Sequence, residues 1–328
     1  MAIPALRNII SKLITKENVN KSLLAICPNP SVDKVLHLKR LQTGKVNRCI
    51  DEKFYPGGKG VHVGLALKEL QTDTKIAGFW SGPTGDWIQT KCSSYNVPSV
   101  GVHVEGWNRT CLTILTSENN KTDNTEILEI GPRISNQSLN DFFKVIEKET
   151  VEVKAMCVSG SWPKNCPKDV YQRLSSICER NNTDLWIDAS GKRLQQALDV
   201  KPFGIHINKK EAKDLLGTDT NPVEYTEKLL TYCNVVALTD GANGLFLGYQ
   251  DSILHAVCKV QDIVSTVGSG DCLTAGLLHA WYKEKELSTI AKTATACGAA
   301  NCINPDLGML QLSDVIEFEK KTTVESVR

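Results

Sequence analysis

The sequence predicts an α/β fold, a doubly wound and mostly parallel sheet flanked by helices with a second, small β-sheet. Three observations carry that expectation. Short apolar runs at 23–27, 75–80, 155–158, 185–187, 204–207 and 235–238 alternate, for the most part, with helix-length segments, the pattern that builds parallel sheets. Polar residues gather where these runs end: Asn29 and Asp33, Ser159 and Ser161, Asp188, Asn208, Thr239 and Asp240. Open α/β sheets bind ligands beyond the carboxyl ends of their strands, so these residues mark one crevice. Two stretches, 34–55 and 102–130, are rich in strand formers without helical periodicity and read as β-ribbon insertions.

In chain order, residues 1–22 form an N-terminal extension in which Leu6, Ile9, Ile10, Leu13 and Ile14 recur at helical spacing among Arg7, Lys12, Lys16 and Lys21. A surface helix fits it better than a targeting peptide, because Glu17 and the low arginine count suit a transit peptide poorly. The α/β domain is expected over 23–315, with 316–328 as a C-terminal tail. After the first run and first insertion, Pro56-Gly57-Gly58-Lys59-Gly60 precedes a helix whose Val61, Leu65 and Leu70 lie near one face. In the second insertion Arg109, Cys111 and Thr113 share one face and Leu112 and Ile114 the other, with 119–124 as the hairpin tip. Such an insertion serves equally as an ordinary edge sheet or as a lid folded over the crevice.

Near the carboxyl end stands Thr266-Val267-Gly268-Ser269-Gly270-Asp271, followed by an apolar helix over 272–281. Two glycines let backbone amides turn inward where a helix begins, which makes an anion cradle. Asp271 stands at its lip, placed to take a proton from an attacking hydroxyl or, more plainly, to cap the helix. Anion cradle plus carboxylate is what phosphoryl transfer to an alcohol requires. Neither glycine cluster is a Walker A loop, and no protein-kinase motif is present.

Composition sets bounds. With 328 residues and 41% hydrophobic content the chain can bury a large core in one domain or split off a small second unit. A formal net charge of +1 gives no overall field for nucleic acid or membrane. No apolar run suits a bilayer span and no typical signal peptide with a cleavage site is evident, so a cytoplasmic enzyme is expected. The 12 cysteines include no Cys-x-x-Cys pair, and Cys27, Cys157 and Cys272 sit in apolar runs, as reduced buried thiols do.

The two glycine segments, Gly57 to Gly64 and Thr266 to Asp271, resemble in order and separation the Gly-Gly-x-Gly-x-Asn-x-Ala and Thr-x-Gly-Ala/Ser-Gly-Asp signatures of the ribokinase/phosphofructokinase-B family of carbohydrate kinases. The segments 27–34, 43–48, 125–129 and 159–163 look like its tagatose-6-phosphate kinase and 1-phosphofructokinase branch. The resemblance runs from about Leu23 to Leu312. It implies a ribokinase-like fold, ATP and Mg²⁺, and an insertion acting as lid. It makes Asp271 the general base and gives the amides of Gly268, Ser269 and Gly270 to the charge on the transferred group. Asn208 and Glu211 match an Asn-x-x-Glu element associated with Mg²⁺, through water. Thr239, Gly241, Gly244, Thr266, Ala299 and Gly308 fall on the nucleotide side. Asn29, Asp33, Gly57, Gly58 and His62 are assigned to the sugar. Lys45, Arg48, Lys59 and Arg109, with Cys111, Ser159 and Ser161, form the more discriminating group around a substrate phosphate; without the resemblance each cation reads as a solvated surface charge.

Departures from the pattern are His62 for Asn, Gly64 for Ala, Cys111 in the lid, Trp162 after Ser-Gly-Ser, and His206-Ile207 where the family has Lys-Pro. The imidazole and the indole are expected to reshape the sugar pocket. The expected reaction is ATP-dependent phosphorylation of tagatose 6-phosphate or a fructose phosphate to a bisphosphate. The alternatives are a kinase of an unphosphorylated sugar or nucleoside, and a catalytically silent sugar-phosphate sensor. A homodimer through the lid sheets is expected, because exposed sheet edges need covering.

Overall fold

The computed structural model describes residues 22–118 and 121–328, with the side chains of 117, 118 and 121–123 outside the description. The extension expected over 1–22 therefore lies outside the described residues except for Ser22, as do Asn119 and Asn120 of the hairpin tip.

Strand β1 (Ser22–Cys27) opens the main sheet, and β2 (Ser31–Leu38) and β3 (Asp51–Gly57) then leave it. The chain returns through β4 (Thr74–Ser81) and β5 (Ser99–Val104), leaves again as β6 (Arg109–Glu118) and β7 (Lys121–Leu128), and comes back in β8 (Val153–Ser159) and β9 (Asp184–Asp188). It ends with β10 (Gly204–Asn208), β11 (Val235–Thr239), β12 (Leu245–Tyr249), β13 (Ser252–Val257) and β14 (Thr323–Ser326). The helices are α1 (Lys59–Glu69), α2 (Gly82–Ser94), α3 (Asn136–Thr150), α4 (Val170–Asn181) and α5 (Lys192–Leu198). They continue with α6 (Lys209–Leu216), α7 (Pro222–Leu230), α8 (Ser269–Tyr282), α9 (Leu287–Ile303) and α10 (Leu312–Lys321).

The main sheet has the order β14-β13-β12-β11-β10-β9-β8-β1-β4-β5. It is parallel from β5 across to β11 and antiparallel beyond. Helices cover both faces, which explains why its strands are continuous apolar runs instead of alternating ones. Along β1, Leu23, Ala25 and Cys27 join the core beneath α1, α8 and α9, while Leu24 and Ile26 join the one beneath α3 and α4. That is the period of two expected of a strand. After β1 the chain builds outward through β4 and β5 on one side and through β8 on the other. The crevice at the carboxyl ends of β1 and β8 is therefore a topological switch point, where ligands bind in such sheets.

The second sheet, β3-β2-β6-β7, has β2 and β6 parallel and stands over that crevice. It is assembled from both insertions, with one difference from the boundary expected at 102. Residues 102–104 belong to β5, whose Val102 pairs with Phe79, and the lid begins at Arg109. Gly101 makes the pairing close, since a Cβ there would stand 2.0 Å from the carbonyl oxygen of Gly78.

The end of the chain also differs from a tail. Helix α10 packs Val315 and Phe318 into the core, and β14 pairs with β13 from Leu254↔Ser326 to Val257↔Thr323. Polar Thr323, Glu325 and Ser326 hid this strand from an apolar-run search. No helix among the described residues is long and apolar enough to cross a membrane.

Removing residues 322–328 strips β14 from the edge of β13 and the Arg328–Glu227 ion pair with it. With cross-strand pairs worth about 0.2–1 kcal/mol each, urea denaturation should report a loss of about 1–3 kcal/mol. An unchanged midpoint would show that the last strand contributes nothing.

Candidate active site

A cavity of about 1090 Å³ opens at the switch point. It is floored by the strand ends, walled by the starts of α1 and α8, and roofed by Arg109, Cys111, Thr113 and Glu126 of the lid. The alternation read from the sequence places Arg109, Cys111 and Thr113 inward.

At one end, α8 begins with Gly268 as its N-cap in the left-handed region, φ 85°. A Cβ there would lie 2.5 Å from the Cα of Gly308, so only glycine lets the two loops touch. The amide of Ser269 bonds Thr266 O; those of Gly270 and Asp271 follow at a helix start, where no intrahelical acceptor exists. With the helix dipole they make an anion site. Asp271 does not cap the helix: it sits in the first turn, and its Oδ2 bonds His62 Nδ1 at 2.9 Å. Its carboxylate is buried at the lip of the cradle.

Sugar-facing residues crowd the other side of His62. Its Nε2 lies 3.3 Å from Asp33 Oδ2, and Asp33 Oδ1 accepts a 2.6 Å bond from Ser31. Burial alone would push Asp33 up; the close contact and charge of His62, with the Ser31 bond, outweigh it and hold the carboxyl below its ordinary range. Gly57 makes this possible, because a Cβ there would overlap the Asp33 carboxylate. Asn29 donates to Ile130 O at 3.1 Å, leaving its buried Oδ1 without a partner, and Arg109 Nε donates to Asn29 O at 3.1 Å. A buried acceptor without a partner, on a cavity wall beside a guanidinium, fits a polyhydroxy ligand bearing an anion.

Between the two ends lies a cluster of which the sequence shows only an acidic strand end. Asp188, closing β9, is 1% exposed; Lys59 Nζ reaches it at 3.0 and 3.3 Å and Ser159 donates to it at 2.8 Å. His206 Nδ1 stands 3.7 Å from Asp188, and its Nε2 3.4 Å from Thr239 Oγ1. Burial would raise the Asp188 pKa, but the Lys59 charge and the His206 and Ser159 contacts depress it far below the carboxylate range. The Lys59 pKa, which burial would lower, is raised instead by Asp188. Asp188 thus anchors Lys59 over the cavity, and Ser159 supports Asp188 from a fully buried position. An acid at a strand end was visible in the sequence, but nothing in its spacing linked it to Lys59.

Several expectations meet a different geometry. Lys45 and Arg48 do not line the cavity. They are exposed on the connection between β2 and β3, which Asn47 closes on itself by bonding Gln42 at 2.8 and 2.9 Å. Trp162 leaves the pocket's shape untouched: its ring points into the core against Phe142, Phe143 and Tyr171. Gly308 faces His62 instead of a nucleotide, a Cβ there standing 2.4 Å from the ring. Gly58, Ser161, Thr266, Gly241, Gly244 and Ala299 line the cavity as expected, with Thr239 and Asn208 at the strand ends.

Asn208 and Glu211 form the capping box of α6, Asn208 Oδ1 taking the Glu211 amide at 2.9 Å and Glu211 Oε2 the Asn208 amide at 3.1 Å. That leaves Glu211 Oε1 outside the box. No group of three acidic, His or Cys side chains among the described residues could hold a metal ion. Asn208 lines the cavity and Glu211 does not, and one free carboxylate oxygen fits a hard cation carried by phosphates and water, not a cage of protein ligands.

A model described as pfkB family carbohydrate kinase matches residues 28–308. The chain belongs to that family. It is a carbohydrate kinase, a phosphotransferase that takes ATP as donor and an alcohol of a sugar as acceptor. The 1-phosphofructokinase of Bacillus subtilis (strain 168) is 29% identical over 300 residues, 90% of this chain and 97% of that protein. Among solved structures, phosphofructokinase-2 from Escherichia coli in complex with potassium superimposes with a TM-score of 0.83 at 20% identity, covering 92% of this chain and 99% of that one. Arabidopsis thaliana ribokinase complexed with ribose and ATP gives 0.75 at 16% identity over 92% and 99%. At such identities the structures speak for the fold, which is ribokinase-like.

The depressed Asp188 pKa has a sign. Its contribution to stability is present in full above the unfolded carboxylate value near ~3.9 and is lost progressively as pH falls from there toward the lower folded value. Lys59 is 42% exposed and can be hydrated if abandoned, so the Ser159 bond dominates the cost. Asp188→Asn should therefore lose about 2 kcal/mol at pH 7 by denaturant titration, and clearly less near pH 2. An equal loss at both pH values would contradict the assignment.

Proposed function

We infer that this kinase phosphorylates a hydroxyl of a phosphorylated ketohexose, a fructose phosphate or tagatose 6-phosphate, yielding a sugar bisphosphate and ADP. The observation that carries this is Arg109. It is the lid's cation at the sugar end of the cavity, bonded to the Asn29 carbonyl, while the ATP phosphates have the α8 cradle. A guanidinium that reaches a buried polyol site needs an anion there, and a substrate phosphate supplies one. The kinship with the B. subtilis 1-phosphofructokinase supports the same substrate class.

In the proposed transfer the sugar lies between Asp33, Asn29 and the lid with its acceptor hydroxyl against Asp271. Asp271 takes the hydroxyl proton as the oxygen attacks the γ-phosphorus, and the Gly268–Gly270 amides meet the charge on the transferred group. Lys59, fixed by Asp188, stands beside that path. Mg²⁺, near Glu211 and Asn208 through water, would neutralise phosphate charge. Glycine at 268 and a buried, uncapped Asp271 favour this over a silent sensor. The placement of Lys45 and Arg48 off the cavity favours the rival of a free-sugar substrate, so substrate preference is the deciding measurement.

We further place the enzyme in the cytoplasm, consistent with 12 free cysteines, and pair it as a homodimer through the lid. Phe54, Ile127 and Ile130 are exposed on or beside the lid, whose β3 and β7 are unpaired edges.

Asp271→Asn should lower kcat by at least ~10² with the ATP KM little changed. Near-normal turnover would remove Asp271 as base. With charge-assisted bonds worth about 1.5–3 kcal/mol, Arg109→Ala should cut kcat/KM for fructose 1-phosphate roughly 10- to 150-fold and leave fructose, a poor substrate, unaffected. Equal loss on both sugars would sink the phosphate-binding role. Sedimentation at micromolar concentration should find a dimer; a fully active monomer would remove the lid pairing.

A further inference from the structure

His62 has no place in the chemistry so far, although the family motif puts an asparagine at this position. Its ring is 4% exposed and has a carboxylate at each nitrogen: Asp271 Oδ2 at 2.9 Å from Nδ1 and Asp33 Oδ2 at 3.3 Å from Nε2. Gly308 closes over the ring face, where any Cβ would collide at 2.4 Å, so the imidazole cannot swing away without moving that loop. The bond to Asp271 is well formed, whereas Nε2 meets Asp33 without hydrogen-bonding geometry.

The surrounding charges decide the protonation state. Asp33 from β2 and Asp271 from α8 are both buried and face the ring. Arg109 from β6 acts on Asp33, and Lys59, three residues earlier on the same helix, lies toward Asp271. Cys27 of β1 and Cys157 of β8 are held as neutral thiols by burial, and Asp306 of the closing loop is engaged by Tyr55 at 2.8 Å. Two buried carboxylates against one imidazole are stable only if the ring supplies a positive charge. Burial alone would lower the His62 pKa; the bond to Asp271 and the close charged contact with Asp33 raise it instead to about 10.

The geometry points to His62 as a positioning residue: as an imidazolium it fixes Asp271 through Oδ2, leaving Oδ1 for the acceptor hydroxyl, and ties that orientation to the sugar-facing Asp33. In the reaction proposed above, on which this rests, the acceptor O–H breaks and its proton passes to Asp271 Oδ1. The new O–P bond forms as the bridging P–O bond breaks and its electron pair leaves on ADP. His62 keeps both protons throughout. A neutral asparagine amide can reproduce the bond to Asp271 but not the charge or the link to Asp33.

Two measurements test it. The first needs no substrate: heteronuclear NMR of protein carrying labelled histidine, with His62 assigned among 6 histidines by its absence in His62→Asn. The His62 ring should stay doubly protonated from pH 6 to pH 9. Asp271→Asn and Asp33→Asn should each lower its titration midpoint by at least ~1 pH unit. A ring neutral at pH 8, or one indifferent to both substitutions, overturns the proposal. The second is the pH profile of kcat/KM with fructose 1-phosphate. Wild type should show an alkaline fall as His62 deprotonates near pH 10 that His62→Asn lacks, with kcat of the variant down roughly 10-fold at pH 7.5. Identical alkaline limbs, or an unchanged kcat, overturn the positioning role even if the NMR result holds. If wild type turns over no phosphosugar, the proposed reaction fails, and the NMR titration alone decides His62.

Discussion

The site depends on backbone meeting backbone where two helices start. At Gly60 a Cβ would stand 2.4 Å from the carbonyl oxygen of Ile26, and at Gly268 2.5 Å from Gly308. These contacts set α1 directly onto the end of β1 and α8 onto the closing loop. Only at that separation can His62, on the first turn of α1, reach Asp271, on the first turn of α8, in a 2.9 Å bond. One added methyl group would displace a helix and open the distance on which the charge pairing relies. The glycines of both motifs thus serve packing as much as ligand approach.

Much of the fold was legible because parallel strands buried on both faces are bound to read as apolar runs. All six runs are strands of the main sheet. Strands missed were mostly those with a half-covered or polar face, the buried run Leu245–Tyr249 being the exception. Ser99–Val104 at one edge and Thr323–Ser326 at the other carry too few apolar residues in sequence, and Leu245–Tyr249 with Ser252–Val257 form an antiparallel hairpin after Gly244. The C-terminal strand is recruited by pairing to β13, a tertiary effect that no local propensity encodes.

The site was legible in its motifs and less so in its partners. Asp33, Asp271, His62 and Arg109 converge as a linear reading places them, since each follows from a strand end or a helix start. Asp188 and His206 were seen as residues but not as a buried anchor for Lys59, because that pairing joins positions 59, 188 and 206 through the sheet order. Lys45 and Arg48 were overvalued for their charge; Asn47 folds their loop away from the cavity. Trp162 shows the same limit, for the backbone turn after Ser161 sends its indole into the aromatic core.

Donor and acceptor ends of one cavity, separated by a clamped Asp33–His62–Asp271 array, describe a machine for moving a phosphoryl group onto a sugar that already bears an anion. The most direct measurement is phosphorus NMR of the wild-type protein with MgATP and equimolar fructose 1-phosphate, run against fructose alone. The account expects one new phosphomonoester resonance on the sugar for each ADP formed, and far slower conversion of fructose. Faster phosphorylation of fructose, or ADP accompanied only by inorganic phosphate, would contradict it.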